Sequence, residues 1–321
     1  MARPTYDESA IIEVRGLTKS YGKVRAIRGV DLRIGRGEVF AMLGPNGAGK
    51  TSTVEILEGY RQRDGGEVRV LGLDPWKQGR LLKQQIGIVL QSTGVEQYLT
   101  VAETIRMYSG YFQHPRPVDE VIELVGLAHK RDTRVVKLSG GQQRRLDVAI
   151  ALAGDPEVLF LDEPTTGFDP SARHEAWDVV KSLAALGKTV LLTTHYMDEA
   201  QHLADRVAVI SEGRIVAEGA PATLAGRDSA RATVSFALPD GVLPPPELGL
   251  RRAPDGTLEF APEDLTGALH RLTGWALEQS VSLGSLRVLR PSLEDVYLQL
   301  TGPTQPAAQI DDPSARQRTR E

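Results

Sequence analysis

Short apolar runs alternate with helical patterns over the first two thirds of the chain. The segments IIEVRGL (11–17) and VRAIRGVDLRI (24–34) are rich in β-branched residues and predict strands on either side of a turn at 19–23. EVFAML, EVLFLDEP and KTVLLTTHY are more continuously apolar, which is typical of strands buried on both faces of a parallel sheet. Helices are predicted after the first of these runs, over much of 97–150 and at about 171–186. RVAVI and GRIVAEG predict a closing strand pair joined at 211–213, and the whole order favours an α/β fold.

The pattern changes after about residue 226. LPDGVLPPPELG is rich in proline, while RATVSFAL, TLEF and SLGSLRVLR predict short strands around a helix at about 264–278. PSLEDVYLQLTG predicts one more helix, with Ser292 as its N-cap and Asp295 three positions later. We therefore expect a flexible N-terminus over 1–10, a main domain over 11–225, a small α+β accessory domain over 226–302 and a disordered tail over 303–321.

Composition narrows the function classes only slightly. The 321 residues include no cysteine, which excludes disulfides, cysteine-ligated zinc and thiol nucleophiles. The formal net charge of −4 predicts no strong attraction to nucleic acid. No apolar run approaches the length of a membrane span, and the N-terminus does not resemble a secretory signal. These features describe a cytoplasmic chain that does not cross a membrane by itself.

A glycine-rich loop follows the first buried strand. Residues 44–51 are GPNGAGKT and match the phosphate-binding pattern G-x-x-x-x-G-K-[ST]. Glycines let the backbone wrap a phosphate, and the next helix directs its positive end at the same anion. We expect Lys50 to reach the β- and γ-phosphates and Thr51 to bind Mg²⁺. This loop alone fits kinases, GTPases, motors and transport ATPases. The nucleotide-binding residues predicted around it are Gly44, Pro45, Asn46, Gly47, Ala48, Gly49, Lys50, Thr51 and Ser52.

Two carboxylates end the second buried strand, in VLFLDE (158–163). A strand that delivers an aspartate at its carboxyl edge places it beside a phosphate-bound Mg²⁺. We therefore predict Asp162 as a metal partner and Glu163 as the residue that polarises an attacking water. The ordinary structural alternative is an acidic pair that caps the next turn.

A second anion site is predicted at LSGGQQ (138–143), which opens a helical segment. Ser139 can cap that helix, and Gly140 and Gly141 leave backbone N–H groups open. Because one nucleotide needs only one phosphate loop, a second site makes sense if it closes over a nucleotide held by another subunit. An N-capped helix with no ligand is the alternative.

With these motifs the chain resembles the ATP-binding-cassette (ABC) ATPases over about residues 11–225, and LSGGQ is their signature motif. The resemblance implies that Tyr21 stacks on adenine, that Gln91 contacts Mg²⁺ and the attacking water, and that His195 lies near the γ-phosphate. It also implies that Asp169 belongs to the D-loop and that Gln142 completes the signature. Taken singly, Tyr21, Gln91 and His195 also fit ordinary structural positions; their order and spacing together favour the family. Phe168 departs from the family's usual leucine, so we expect altered D-loop packing there.

The resemblance implies a fold and an assembly. The fold is a P-loop NTPase cassette, with a RecA-like core, an antiparallel β subdomain and a helical subdomain at about 92–150. Two copies pair head to tail around two ATP molecules, so that Ser139 and Gly141 of one copy meet the phosphate loop of the other. A separate membrane permease docks in a groove framed by about 92–135, which places the chain peripherally at the cytoplasmic face of the membrane.

Several segments further resemble the daunorubicin-resistance type of bacterial exporter ATPase. They are LEGYRQRDGGEVRVLGLDPW, VLQSTGVEQYLTVAETI, GGQQRRLDVAIAL and the C-terminal PSLEDVYLQLTG. The last of these also fits a plain amphipathic helix. The resemblance implies efflux of a drug, antibiotic, lipid or similar hydrophobic cargo. An importer ATPase and a soluble ABC ATPase acting on ribosomes or DNA remain as alternatives.

Overall fold

A six-stranded sheet forms the centre of the molecule. The structure, a computed structural model, describes residues 10–89, 94–226, 231–239, 241–244, 248–253, 255–290 and 292–301. The strand order in this sheet is β5-β6-β7-β3-β8-β9, and all neighbours are parallel except the antiparallel pair β8 and β9. The strands are β3 (Val39–Leu43), β5 (Ile86–Val89), β6 (Val158–Asp162), β7 (Thr189–Thr194), β8 (Arg206–Ser211) and β9 (Arg214–Gly219).

Both faces of this sheet are covered, as the continuous apolar runs predict. Along β3, Phe40 and Met42 belong to the cluster shared with a smaller sheet, whereas Ala41 and Leu43 belong to the cluster shared with the helices. Successive side chains of a strand point to opposite faces, so a strand buried on both sides must be apolar throughout. The helices are α1 (Lys50–Leu57), α2 (Gly79–Leu82), α3 (Val101–Ser109), α4 (Val118–Leu124), α5 (Gly140–Leu152), α6 (Pro170–Ala185) and α7 (Met197–Leu203).

The smaller sheet is antiparallel and contains β1 (Ala10–Tyr21), β2 (Val24–Gly35) and β4 (Gly65–Val70) in the order β2-β1-β4. The two predicted strands are confirmed, but the turn between them is shorter than the expected 19–23. Strand β1 continues to Tyr21, where it still pairs with Val24, because Gly22 supplies the positive φ of 58° that a two-residue turn needs.

Residues beyond 226 build a third sheet, also antiparallel, in the order β11-β12-β10-β13. Its strands are β10 (Thr233–Ala237), β11 (Arg251–Arg252), β12 (Leu258–Phe260) and β13 (Gly284–Leu289), and helix α8 (Leu265–Glu278) packs on it through Ala268 and Leu272. The predicted strands and the helix at 264–278 are confirmed. The two-residue strand β11 was not predicted.

The last helix, α9 (Leu293–Thr301), packs elsewhere. Ser292 and Asp295 form the predicted reciprocal cap, since each backbone N–H donates to the other's side chain. Leu293 and Val296 are buried in the cluster that joins the large sheet to α3–α7, and α9 contacts α7. The structure thus divides the residues after 226 between two hydrophobic clusters. Of the N-terminus expected to be flexible over 1–10, residues 1–9 lie outside the described residues and Ala10 is the first residue of β1. The tail expected to be disordered over 303–321 also lies outside the described residues. Within the described part of the chain, no helix has the length and apolarity that a bilayer crossing needs.

Candidate nucleotide site

The phosphate loop connects β3 to α1 in a conformation that depends on glycine. Gly49 has a φ of 106°, and a Cβ atom there would lie 2.6 Å from the carbonyl oxygen of Ala26. At Gly44, a Cβ atom would lie 2.4 Å from the carbonyl oxygen of Ile210. A larger residue at either position would clash with backbone. Pro45, Asn46 and Gly47 form the exposed top of the loop, and Thr51 is exposed at the first turn of α1, so both are accessible to a ligand.

The side chain of Lys50 folds back onto the phosphate loop. Its Nζ atom donates to the carbonyl oxygens of Gly44 at 2.6 Å and Pro45 at 3.3 Å. Burial lowers the pKa of Lys50, and the negative charges of Glu163 and Asp162 act in the opposite direction. The ammonium group is therefore held close to two carboxylates by neutral acceptors, which a polyphosphate can replace.

Tyr21 ends β1 beside the same loop. Its hydroxyl lies 3.0 Å from Oγ of Ser52, and the guanidinium carbon of Arg61 lies 5.1 Å from its ring centroid. The ring is exposed by 38%, which leaves it available for stacking with a base. The structure thus brings together Tyr21 and Ser52, two residues predicted to bind the nucleotide.

Asp162 and Glu163 lie where β6 ends, as predicted. Oδ1 of Asp162 accepts a hydrogen bond from Oγ1 of Thr193 on the neighbouring strand β7. Oε2 of Glu163 accepts one from Oγ1 of Thr166 at 3.0 Å. Glu163 also has a φ of 45°, in the left-handed region that is uncommon for residues other than glycine. Such conformations concentrate at functional sites.

His195 follows β7 and lies beside the Glu163 carboxylate. Its Nδ1 atom lies 3.4 Å from Oε1 of Glu163, and the imidazole is exposed by 37%. The sequence placed these two residues 32 positions apart, and the parallel pairing of β6 with β7 brings them together. Hydrolytic acid–base chemistry needs this kind of proximity between a carboxylate and a second polar group.

The signature segment forms the predicted cap of α5. Oγ of Ser139 accepts the N–H of Gln142 at 3.3 Å, and Oε1 of Gln142 accepts the N–H of Ser139 at 3.1 Å. Ser139 and Gly140 are exposed, and a Cβ atom at Gly140 would contact nothing within 4 Å. This open helix end can accept an anion.

The D-loop aspartate has a structural contact of its own. Oδ1 of Asp169 accepts the N–H of Ala172 at 2.9 Å and caps α6, where Pro170 occupies the first helical position. Phe168, the departure from the family pattern, lines an apolar cavity between α5 and α6 together with Gly141 and Leu161. Gln91, predicted to contact Mg²⁺ and the attacking water, lies outside the described residues.

Sequence reasoning missed several polar residues around the site. Thr193 and Thr166 hold Asp162 and Glu163, as described above. Glu199 on α7 is fully buried, and its Oε1 atom accepts hydrogen bonds from Thr165 Oγ1 at 2.9 Å and Trp177 Nε1 at 3.2 Å. Burial raises the pKa of Glu199. The available signal was the polar run TTHYMDE in a region where the strand is otherwise apolar.

Comparison with known families agrees with this geometry. Residues 27–166 match the model of the ABC transporter family, and residues 232–292 match a model described as an ABC transporter domain-containing protein-like, C-terminal domain. The chain is 40% identical over 302 residues to Nod factor export ATP-binding protein I of Paraburkholderia xenovorans, covering 91% of this chain and 97% of that protein. It is 38% identical over 308 residues to the daunorubicin resistance ATP-binding protein DrrA2 of Streptomyces coeruleorubidus, covering 91% and 95%.

Solved structures show the same fold. The cbiO1 protein of Clostridium perfringens, part of an ABC transporter complex, aligns with a TM-score of 0.60 and 29% identity over 67% of this chain and 90% of its own. A dimeric ATP-binding cassette in a post-hydrolysis state, bound to ADP and Pi, aligns with a TM-score of 0.57 and 25% identity, covering 65% and 98%. The architecture is thus the P-loop cassette fold that the motifs indicate. The chain belongs to the ABC transporter family and is one of its ATP-hydrolysing subunits.

Proposed function

We propose that this ATPase powers the efflux of a hydrophobic cargo, such as a drug, antibiotic or lipid, through a separate membrane permease. The observation that supports it most is the meeting of the Lys50 loop with Asp162, Glu163 and His195 in one cassette. The export direction is supported by relatives that are named for Nod factor export and daunorubicin resistance and that align over 91% of this chain.

Lys50 and the backbone N–H groups of residues 44–51 bind the phosphates, and Tyr21 stacks on the adenine. The donor set also fits Mg²⁺, because the exposed Thr51 hydroxyl and the Asp162 carboxylate at the end of β6 are oxygen ligands that this hard cation prefers. Gln91 would add an amide oxygen. When bound, Mg²⁺ neutralises charge on the β- and γ-phosphates.

Glu163 acts as the base for hydrolysis. Its carboxylate accepts a proton from water while the water oxygen bonds to the γ-phosphorus and the bond to the β-phosphate oxygen breaks, which yields ADP and phosphate. His195 orients the γ-phosphate from the carboxyl end of the neighbouring parallel strand β7. Thr166 keeps Oε2 of Glu163 occupied at 3.0 Å, so Oε1, which lies 3.4 Å from Nδ1 of His195, is the oxygen that accepts the proton from water.

A second copy completes each site. The exposed helix end at Ser139, Gly140, Gly141 and Gln142 binds the γ-phosphate held by the partner's phosphate loop, and Asp169 lies in the same interface. The solved dimer with ADP and Pi is an ABC cassette of the same fold, which supports this arrangement. ATP closes the pair and hydrolysis reopens it, since the γ-phosphate is the contact that differs between the two states.

The permease contacts the cassette along the helical segment at about 92–135. Tyr98 and Tyr111 are exposed by 75% and 71%, and Met107 is exposed by 44%. Contiguous exposed apolar patches mark protein-interaction surfaces, and the ring of Tyr111 lies 6.2 Å from that of Tyr108 in this segment. The chain is thereby held peripherally at the cytoplasmic face of the membrane. Residues 226–302 act as an accessory region in assembly or regulation.

Transport in inside-out vesicles tests this proposal. The chain is co-expressed with each multispan membrane protein that a neighbouring open reading frame is found to encode, and daunorubicin serves as the fluorescent probe. An exporter accumulates the probe inside the vesicles when ATP is added, and the Lys50→Ala variant does not. ATP-driven loss of the probe from the vesicles would indicate an importer. An ATPase that co-purifies with no membrane protein would contradict the transport role.

A further inference from the structure

Thr193 lies beside the two acidic residues of the hydrolysis site, Asp162 and Glu163. It is fully buried near the carboxyl end of β7 and lies opposite Asp162 in the register of β6 and β7. Its Oγ1 atom donates a hydrogen bond to Oδ1 of Asp162. One side-chain oxygen of the predicted metal partner is therefore held by Thr193.

The same threonine also holds the backbone of Glu163. The N–H of Glu163 lies 3.1 Å from both the carbonyl oxygen and Oγ1 of Thr193. A hydroxyl can donate one hydrogen bond and accept others, so a single Oγ1 serves Asp162 as donor and Glu163 as acceptor. Valine, which has the same shape, can do neither.

Glu163 needs such support because its φ of 45° is unfavourable for a residue with a side chain. Backbone held in this region is strained and persists only where the surroundings impose it. The carbonyl oxygen and Oγ1 of Thr193 both accept the N–H of Glu163 and so support this conformation. His195 follows Thr193 by two residues in the chain, so the position of β7 also determines where the imidazole of His195 lies.

We propose that Thr193 is a positioning residue for ATP hydrolysis, whose one hydroxyl aligns the Asp162 carboxylate and the Glu163 main chain with each other. Thr193 acts through these two residues and does not itself contact the nucleotide. The inference rests on the roles proposed above for Asp162 and Glu163.

The test compares Thr193→Val with Thr193→Ser in steady-state ATPase assays at varied ATP and Mg²⁺. Loss of groups that orient metal-site residues commonly costs about 10–100-fold in activity or metal affinity. For Thr193→Val we expect kcat to fall by about 10-fold or more and half-saturation by Mg²⁺ to rise, while KM for ATP changes by less than about 3-fold. Thr193→Ser retains the hydroxyl and should restore kcat to within about 3-fold of the wild type.

Thr189→Val is a matched control at the other end of the same strand. Thr189 is also buried, and its Oγ1 accepts a hydrogen bond from the N–H of Gly37 at 2.9 Å. This variant makes the same chemical change and loses a comparable hydrogen bond away from the site. Its melting temperature should fall as that of Thr193→Val does, and its kcat and Mg²⁺ dependence should match the wild type.

Several outcomes would overturn the inference. Thr193→Val could retain the wild-type kcat, or Thr193→Ser could be as impaired as the valine variant. If Thr193→Val does not fold, Thr193→Ala removes the hydroxyl without placing a methyl group against two polar groups, and the same criteria apply. Glu163→Gln is assayed in parallel. Wild-type activity of Glu163→Gln would refute the proposed base. If Glu163→Gln is inactive while Thr193→Val keeps the wild-type kcat, only the proposed role of Thr193 is refuted.

Discussion

Nδ1 of His195 lies 3.4 Å from Oε1 of Glu163, across the ends of two adjacent parallel strands. The loop of Lys50 lies close enough for the charge of Glu163 to act on its ammonium group. A carboxylate and an imidazole therefore lie together beside the phosphate loop, where we propose that the γ-phosphate binds. This relationship makes Glu163 the residue whose change should separate ATP binding from hydrolysis.

Replacing Glu163 with Gln should abolish hydrolysis and leave ATP binding intact. The amide keeps the size of the side chain but cannot accept a proton from water, while the phosphate loop is unchanged. The ATP-bound pair then cannot reopen, so size-exclusion chromatography with ATP and Mg²⁺ should show a stable dimer.

Glu157→Gln is the control for that experiment, because Glu157 immediately precedes the same strand and pairs with Arg36 at 2.5 Å. It should hydrolyse ATP at the wild-type rate and form no trapped dimer. Wild-type hydrolysis by Glu163→Gln would refute the assignment of the base.

Replacing Lys50 with Ala should abolish both ATP hydrolysis and resistance to the exported cargo. Lys50 is a buried cation in the phosphate loop, and the substitution removes the charge that is proposed to contact the β- and γ-phosphates. Nucleotide affinity, measured with a fluorescent ATP analogue, should fall by at least about 10-fold, since a charged hydrogen bond contributes roughly 1.5–3 kcal/mol. Lys188→Ala, which removes a lysine paired with Asp155 at 2.7 Å, should bind nucleotide normally. Unchanged affinity in Lys50→Ala would contradict the role of the loop.

Much of this site could be predicted because its chemistry is carried by local patterns. The phosphate loop, the Ser139 cap and the Asp162–Glu163 strand end each occupy a few consecutive residues, and each was found where the pattern placed it. Helices α6 and α8 likewise lie within one residue of their predicted bounds.

The contacts that the sequence did not reveal join residues far apart in the chain. Thr193 reaches Asp162 because β6 and β7 pair in one particular register, and Glu199 reaches Thr165 and Trp177 from a different helix. A buried threonine in an apolar strand fits a β-branched core position equally well, so its hydroxyl carries no signal until the neighbours are known. The packing of α9 against α7 is hidden for the same reason.

Glu58 provides a test by pH, because it is a buried carboxyl group at the end of α1. Burial, and then the charges of Asp162 and Glu55, raise the pKa of Glu58 from 4.5 to about 8, and Lys83 opposes them. Between pH 4.5 and about pH 8, Glu58 keeps its proton in the folded protein and releases it in the unfolded chain. The contribution of the protonated Glu58 to stability is therefore complete below pH 4.5 and is lost as pH rises to about 8.

Glu58→Gln removes this dependence. In urea unfolding, the free energy of unfolding of the variant should rise relative to the wild type with each step from pH 5 to pH 8, by up to about 1.4 kcal/mol per pH unit. The gain should level off above pH 8. A difference that stays constant over this range would contradict the raised pKa of Glu58.

The C-terminal helix provides the last test, because α9 follows the accessory sheet in the chain but packs on the cassette. Leu293 is 1% exposed and belongs to the cluster of the large sheet, whereas Leu298 on the same helix is 56% exposed. Leu293→Ala should lower the free energy of unfolding of the cassette by about 2–5 kcal/mol, as expected for a buried leucine. Leu298→Ala should change the free energy of unfolding by less than about 0.5 kcal/mol, as expected for a surface position.

The destabilisation by Leu293→Ala should appear in the main unfolding transition, because α9 shares its cluster with α7, which follows His195. ATP should partly restore the lost stability. Equal effects of the two substitutions, or a loss confined to a separate minor transition, would show that α9 is not part of the cassette core.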